Sequence, residues 1–149
     1  DNYAYIVIDT PPNAGTLLNN AIMAANLILI PIEMSYQGAT GLGNLHKTIA
    51  TMLKAYKRTN QVQVGYLPTM YEEAARDAVE IYESLQQRYQ SKVCEPIHRA
   101  RAIQQANGAH LDIFLYKPPR TWSDGQIESS SRATQEYGSL VNRVLAMTA

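Results

Sequence analysis

Apolar positions fall along the chain in two kinds of pattern. Residues 3–9, 27–32 and 62–67 are near-continuous apolar runs, the pattern of parallel strands buried on both faces. The third run is expected to stop at Pro68. Two shorter runs, residues 92–95 and 113–116, predict a fourth and a fifth strand. Between the runs the period changes to helical. Leu42, Leu45, Ile49, Met52, Leu53 and Tyr56 form one stripe over about residues 39–58. Ala75, Ala78, Tyr82, Leu85 and Tyr89 form a second, opposite a face bearing Glu72, Glu73, Asp77, Glu80 and Glu83. Tyr137, Leu140, Val141, Val144 and Leu145 form a third. Shorter helices are expected over residues 16–25 and 99–107, the latter closing at Gly108.

Strands alternating with helices predict an α/β fold, a three-layer open and mostly parallel sheet flanked by helices. Residues 117–131 hold Pro118-Pro119, Asp124-Gly125 and Ser129-Ser130-Ser131, and read as one long loop. No repeat and no linker divides the chain, so 1–149 is expected to be one domain. It is expected to be a partial one, because the first residue is not methionine and a central-strand pattern begins at once. A parallel sheet lacking its first strands exposes an apolar edge, so self-association in isolation is expected.

Charge narrows the choice of partner. Thirteen Lys and Arg balance thirteen Asp and Glu, so any polyanion site must be a local patch. Two clusters qualify: Lys54, Lys57 and Arg58, which also suit a helix C-terminus, and His98, Arg99 and Arg101. The single cysteine, Cys94, excludes disulfides within the chain and multi-cysteine metal sites, and its short apolar run predicts a buried thiol. His46, His98 and His110 share no metal-ligand spacing.

The sharpest chemical signal is Ile6-Val7-Ile8-Asp9-Thr10-Pro11-Pro12. A buried strand ending in Asp places a carboxylate at the carboxyl edge of the sheet, where open α/β folds bind ligands. Such an Asp can hold Mg²⁺ through water, because that ion dehydrates reluctantly. The alternative is an Asp that ends a strand and caps the following turn.

Four ordered blocks make the chain resemble the C-terminal part of the ParA/Soj/MinD family of deviant P-loop ATPases, which partition plasmids, chromosomes and other cargo. They are Asp9-Thr10-Pro11-Pro12; Leu29-Ile30-Pro31-Ile32-Glu33 with Gln37-Gly38-Ala39-Thr40-Gly41-Leu42; Thr69-Met70-Tyr71; and Arg99 and Arg101 leading through Gly108 to Phe114-Leu115-Tyr116-Lys117-Pro118. The resemblance implies a switch using ATP and Mg²⁺, an ATP-joined homodimer, non-specific DNA binding, a ParB-type stimulating partner, and a cytoplasmic, nucleoid-associated location. It implies that Asp9 is the Walker B carboxylate, with Thr10, Pro11 and Pro12 beside the γ-phosphate. Thr69, Met70, Ile97 and His98 would lie at the adenine end. Of the two basic clusters, the one holding Arg99 and Arg101 offers the candidate DNA contacts, the alternative being a solvated helix end.

Departures from the family pattern qualify these expectations. The family's Lys-Gly-Gly-x-Gly-Lys-[Ser/Thr] phosphate loop is not among these residues, so the chain alone is expected neither to bind ATP tightly nor to hydrolyse it. Ile97-His98 stands where the family has Pro-Arg. The last helix offers only Arg132 and Arg143, too few for a basic membrane-surface helix, so no membrane partner is expected. The rival reading is a non-catalytic binding or scaffold module that keeps the fold without the phosphate loop.

Overall fold

The computed structural model describes residues 3–10, 15–119 and 121–148. Helix α1 (Thr16–Ala24) leads to β1 (Leu27–Glu33), and α2 (Tyr36–Thr40) and α3 (Leu42–Ala55) lead on to β2 (Gln63–Thr69). Helices α4 (Arg76–Tyr89), α5 (Arg101–Gly108) and α6 (Asp124–Thr148) follow. The two strands pair in parallel, from Leu27 opposite Gln63 to Glu33 opposite Thr69.

Alternation along the strands divides the core into two faces. On one, Ile30, Ile32 and Tyr66 pack with Ile22 of α1, Ile49 and Leu53 of α3, and Ala78, Ile81 and Leu85 of α4. On the other, Leu29 and Leu67 pack with Cys94 and Ile97, with Ile103 of α5, and with Tyr137 and Leu140 of α6. The result is the expected α/β arrangement, helices on both faces of a parallel sheet. Gly65 matters on the second face. A Cβ there would come 3.2 Å from Leu29 Cδ1 and 3.4 Å from Met147 Cε, so its absence lets the end of α6 lie close to the sheet.

Several expectations change. Residues 3–9 form no strand and stay exposed, Val7 at 92%. A strand's backbone groups need a neighbouring strand, and no described residue pairs with this segment. β2 does not stop at Pro68 but runs through it to Thr69. Thr69 O accepts from Met34 N–H on the β1 side, whereas Tyr66 O and Pro68 O accept from Cys94 N–H and Ile97 N–H. The missing donor of Pro68 therefore faces residues 93–97 and spares the β1 ladder. Consistent with that, residues 92–95 give no full strand: Gln90–Lys92 is a 3₁₀ turn, and pairing beyond it consists of isolated parallel bridges, Tyr66 to Val93 and Tyr71 to His98.

Residues 113–116 form a turn, because Asp112 Oδ1 accepts from the N–H groups of Phe114 and Leu115, each at 2.9 Å. The long loop over 117–131 is shorter than expected, since α6 begins at Asp124 and takes in Ser129-Ser130-Ser131. Gln126 Oε1 accepts from Ser123 N–H at 3.0 Å, one half of a capping box.

Polar groups tie the first face together. Arg58 donates to Met23 O and, at 3.0 Å, to Ala25 O, so it closes the C-terminal end of α1. The fully buried Tyr66 stacks on Tyr89, with ring centroids 3.9 Å apart, and its hydroxyl lies 2.5 Å from His46 Nδ1. Burial pushes the Tyr66 phenol up to about 12; Tyr89 adds to the rise and Arg88 opposes it. The fold therefore favours neutral Tyr66, and that stabilisation is complete below the ordinary tyrosine value of about 10. It is lost as pH rises through about 12. In urea titrations, Tyr66→Phe should cost on the order of 1 kcal/mol near neutral pH, yet lose less stability than the parent between pH ~9 and ~11.5. Equal alkaline losses in the two proteins would contradict this assignment.

Candidate functional site

The carboxyl end of β2 is where the sheet turns into chemistry. After Thr69 the chain bends sharply at Met70, whose φ of 52° lies in the left-handed region. For a residue with a Cβ that conformation is sparsely populated and strained. The bend carries Tyr71 across to the neighbouring segment, where Tyr71 N–H donates to Ile97 O and Arg99 N–H donates to Tyr71 O, both at 3.1 Å. Thr69, Met70, Ile97 and His98, which the resemblance groups together, thus lie along one edge. Met70 is half-exposed and Ile97 buried.

His98 is the best-anchored member. Its backbone N–H donates to Glu136 Oε2 at 2.9 Å, and its Nδ1 lies 2.6 Å from Glu136 Oε1. Nε2 lies 3.3 Å from Glu73 Oε1. The Tyr71 ring meets the imidazole edge-on, with centroids 5.0 Å apart. Glu136, Glu73 and Tyr71 are thus neighbours of His98 that the sequence pattern does not connect to it. Nothing in local spacing joins Glu136 to a histidine 38 residues away.

The two arginines differ in their surroundings. Arg99 Nε sits 2.8 Å from Glu72 Oε1, whereas the Arg101 guanidinium lies 5.9 Å from the centroid of the Trp122 ring. Glu72 and Trp122 were not foreseen either. Of the other cluster, Arg58 is committed to the end of α1.

Asp9 is exposed in the unpaired segment and Thr10 is half-buried, so the structure does not hold Asp9 at a strand end. Pro11 and Pro12 lie outside the described residues. Mg²⁺ at phosphate sites usually takes one or two carboxylates with phosphate and water oxygens, and an accessible Asp9 carboxylate fits such a partial role. Among the described residues no three His, Cys, Asp or Glu side chains converge as a metal site. An open apolar groove of about 380 Å³, lined by Leu18, Ile30, Ile32, Leu42 and Leu45, contains none of the candidate residues. Cys94 is buried; burial pushes its thiol up, and Arg143 draws it partly back. No helix among the described residues is long and apolar enough to cross a membrane.

Comparison with known proteins adds an independent line. Residues 1–63 match the family model described as an AAA domain. The sporulation initiation inhibitor protein Soj of Bacillus subtilis is 30% identical over 118 residues, 78% of this chain and 46% of that protein. The chromosome partitioning protein ParA of Myxococcus xanthus is 35% identical over 95 residues, 64% of this chain and 33% of that protein. The chromosome-partitioning ATPase Soj of Treponema pallidum is 30% identical over 117 residues, again 78% and 46%. The chain spans less than half the length of each of these relatives.

Glu136 offers a test of the edge as a structural unit. Its side chain and that of His98 are 14% and 13% exposed, so removing the carboxylate leaves the part-buried His98 N–H without its acceptor. Glu136→Ala should cost about 2–3 kcal/mol and speed amide exchange at His98 and Arg99, while Glu136→Gln, which keeps one acceptor, recovers part of both. Unchanged exchange at those amides in the alanine variant would show that α6 does not hold this edge.

Proposed function

We propose a function from one premise: this chain is related to the Soj and ParA partition ATPases. On this reading it is the C-terminal part of such an ATPase and supplies one wall of a nucleotide site. The observation that supports it most is the meeting of Thr69, Met70, Ile97 and His98 at the carboxyl end of adjacent parallel segments, the position at which open α/β sheets bind ligands. Those four residues receive the base end of ATP. Their backbone hydrogen bonds fix the edge before ligand arrives, which lowers the ordering cost of binding.

Asp9 then serves at the phosphate end, holding Mg²⁺ through water, with Thr10, Pro11 and Pro12 beside the γ-phosphate. When bound, the ion neutralises charge developing on the phosphates. In the intact protein ATP joins two copies, the pair binds DNA without sequence preference through Arg99 and Arg101, and a ParB-type partner stimulates turnover.

Because Asp9 is exposed and no described residue pairs with its segment, replacing it should leave the folding of this chain intact. In the intact protein, Asp9→Ala should lower Mg-ATP turnover by at least about 100-fold with an unchanged melting temperature. Parental turnover in that variant would remove the metal assignment. Arg99→Glu with Arg101→Glu should weaken ATP-dependent binding to random-sequence duplex and flatten its salt dependence, by about 0.9 in logarithmic slope for each phosphate no longer neutralised. Binding equal to the parent at every salt concentration would reject the arginine patch.

A further inference from the structure

The two arginines at the start of α5 are held in opposite ways. Arg99 faces a carboxylate: its Nε lies 2.8 Å from Glu72 Oε1, and the two side chains are about half exposed, at 56% and 51%. A phosphate approaching Arg99 competes directly with that acceptor, because both seek the same N–H donors in the guanidinium plane. Arg101 faces a ring. Its Cζ lies 5.9 Å from the Trp122 centroid, at the outer limit of a cation–π contact. An aromatic face attracts the guanidinium without occupying its in-plane donors, so they stay open to an incoming anion while the side chain loses rotamer freedom in advance.

Trp122 is itself fixed. It is half-buried against the cluster formed by Ala100, Ala102, Ala106, Ile113 and Ala133, and its ring centroid is 6.3 Å from that of Tyr116. Its backbone N–H donates to Pro119 O at 3.1 Å, next to the start of α6. It is a firm platform.

We propose that this chain presents one arginine and withholds the other: Trp122 is a positioning residue that holds Arg101 ready for a phosphate, and Glu72 keeps Arg99 in reserve until a ligand displaces it. The proposal rests on the reading of Arg99 and Arg101 as DNA contacts and adds their regulation. Polyanion affinity is then set by two residues that carry no positive charge. Glu72 lies just beyond Tyr71, whose backbone closes the nucleotide edge, so the restraint on Arg99 adjoins the site proposed for ATP.

The test uses the intact protein with Mg-ATP and a fluorescent random-sequence duplex, with anisotropy followed across a salt series. Glu72→Gln should tighten binding several-fold and steepen the salt dependence, by about 0.9 in logarithmic slope for each additional phosphate neutralised. Trp122→Leu, which keeps apolar bulk without the aromatic face, should weaken binding about 2- to 5-fold, and Trp122→Phe should restore most of it. Melting temperatures of all variants identify any loss that comes from unfolding. Should Glu72→Gln leave affinity and slope unchanged, or folded Trp122→Leu bind like the parent, the proposal falls. If Arg99→Glu with Arg101→Glu still abolishes binding in that case, the DNA reading stands without it. If that double variant also binds normally, both fall.

Discussion

Strand β2 is the member that everything else leans on. Its odd positions face β1, as the bond from Met34 to Thr69 O shows, and its even positions face residues 93–97, as Tyr66 O and Pro68 O show. A proline on the first side would have broken the one continuous ladder. At position 68 it interrupts only the second, which is why pairing there is reduced to bridges. By the same alternation the missing N–H of Pro31 in β1 points away from β2 and costs that ladder nothing. The placement of two prolines thus decides which edge of the sheet is regular and which is irregular.

The irregular edge is where the candidate chemistry gathers. Freed from a full ladder, the chain after Val93 is held by four backbone bonds and by Glu136, which reaches from α6 to both the amide and the ring of His98. Loops that carry function are commonly positioned by a rigid scaffold in this way. Charge is balanced locally as well as globally. Glu72, Glu73 and Glu136 stand against Arg99, His98 and Arg132, so this surface is no uniformly basic patch. Its behaviour toward an anion depends on which pairs yield.

Much of this was legible in the residues. The helical stripes of α3, α4 and α6 and the apolar runs of β1 and β2 each belong to an element whose period is set by its own face of the core. What escaped depended on partners. The run Tyr3-Ala4-Tyr5-Ile6-Val7-Ile8 states that these side chains suit burial, but an apolar run does not say which strand lies beside it. The run around Phe114 looked like a strand because the capture of two amides by Asp112 is invisible to a hydrophobic pattern. The start of α6 is present as Ser123-Asp124-Gly125-Gln126, but Asp-Gly reads first as a turn and masks the cap signal. Of the site, the four edge residues came from a resemblance in order and spacing. The side chains that hold His98, Glu136 and Glu73, are joined to it only by the fold.

The central claim is that the edge shared by β2 and residues 93–98 faces the base of a nucleotide. Backbone amide exchange of the intact protein, with and without saturating Mg-ATP, tests it most directly. The account predicts slower exchange concentrated at Met70, Tyr71, His98 and Arg99, with little change at the β1–β2 ladder. Protection elsewhere, with those four amides exchanging as fast as in the free protein, would contradict it.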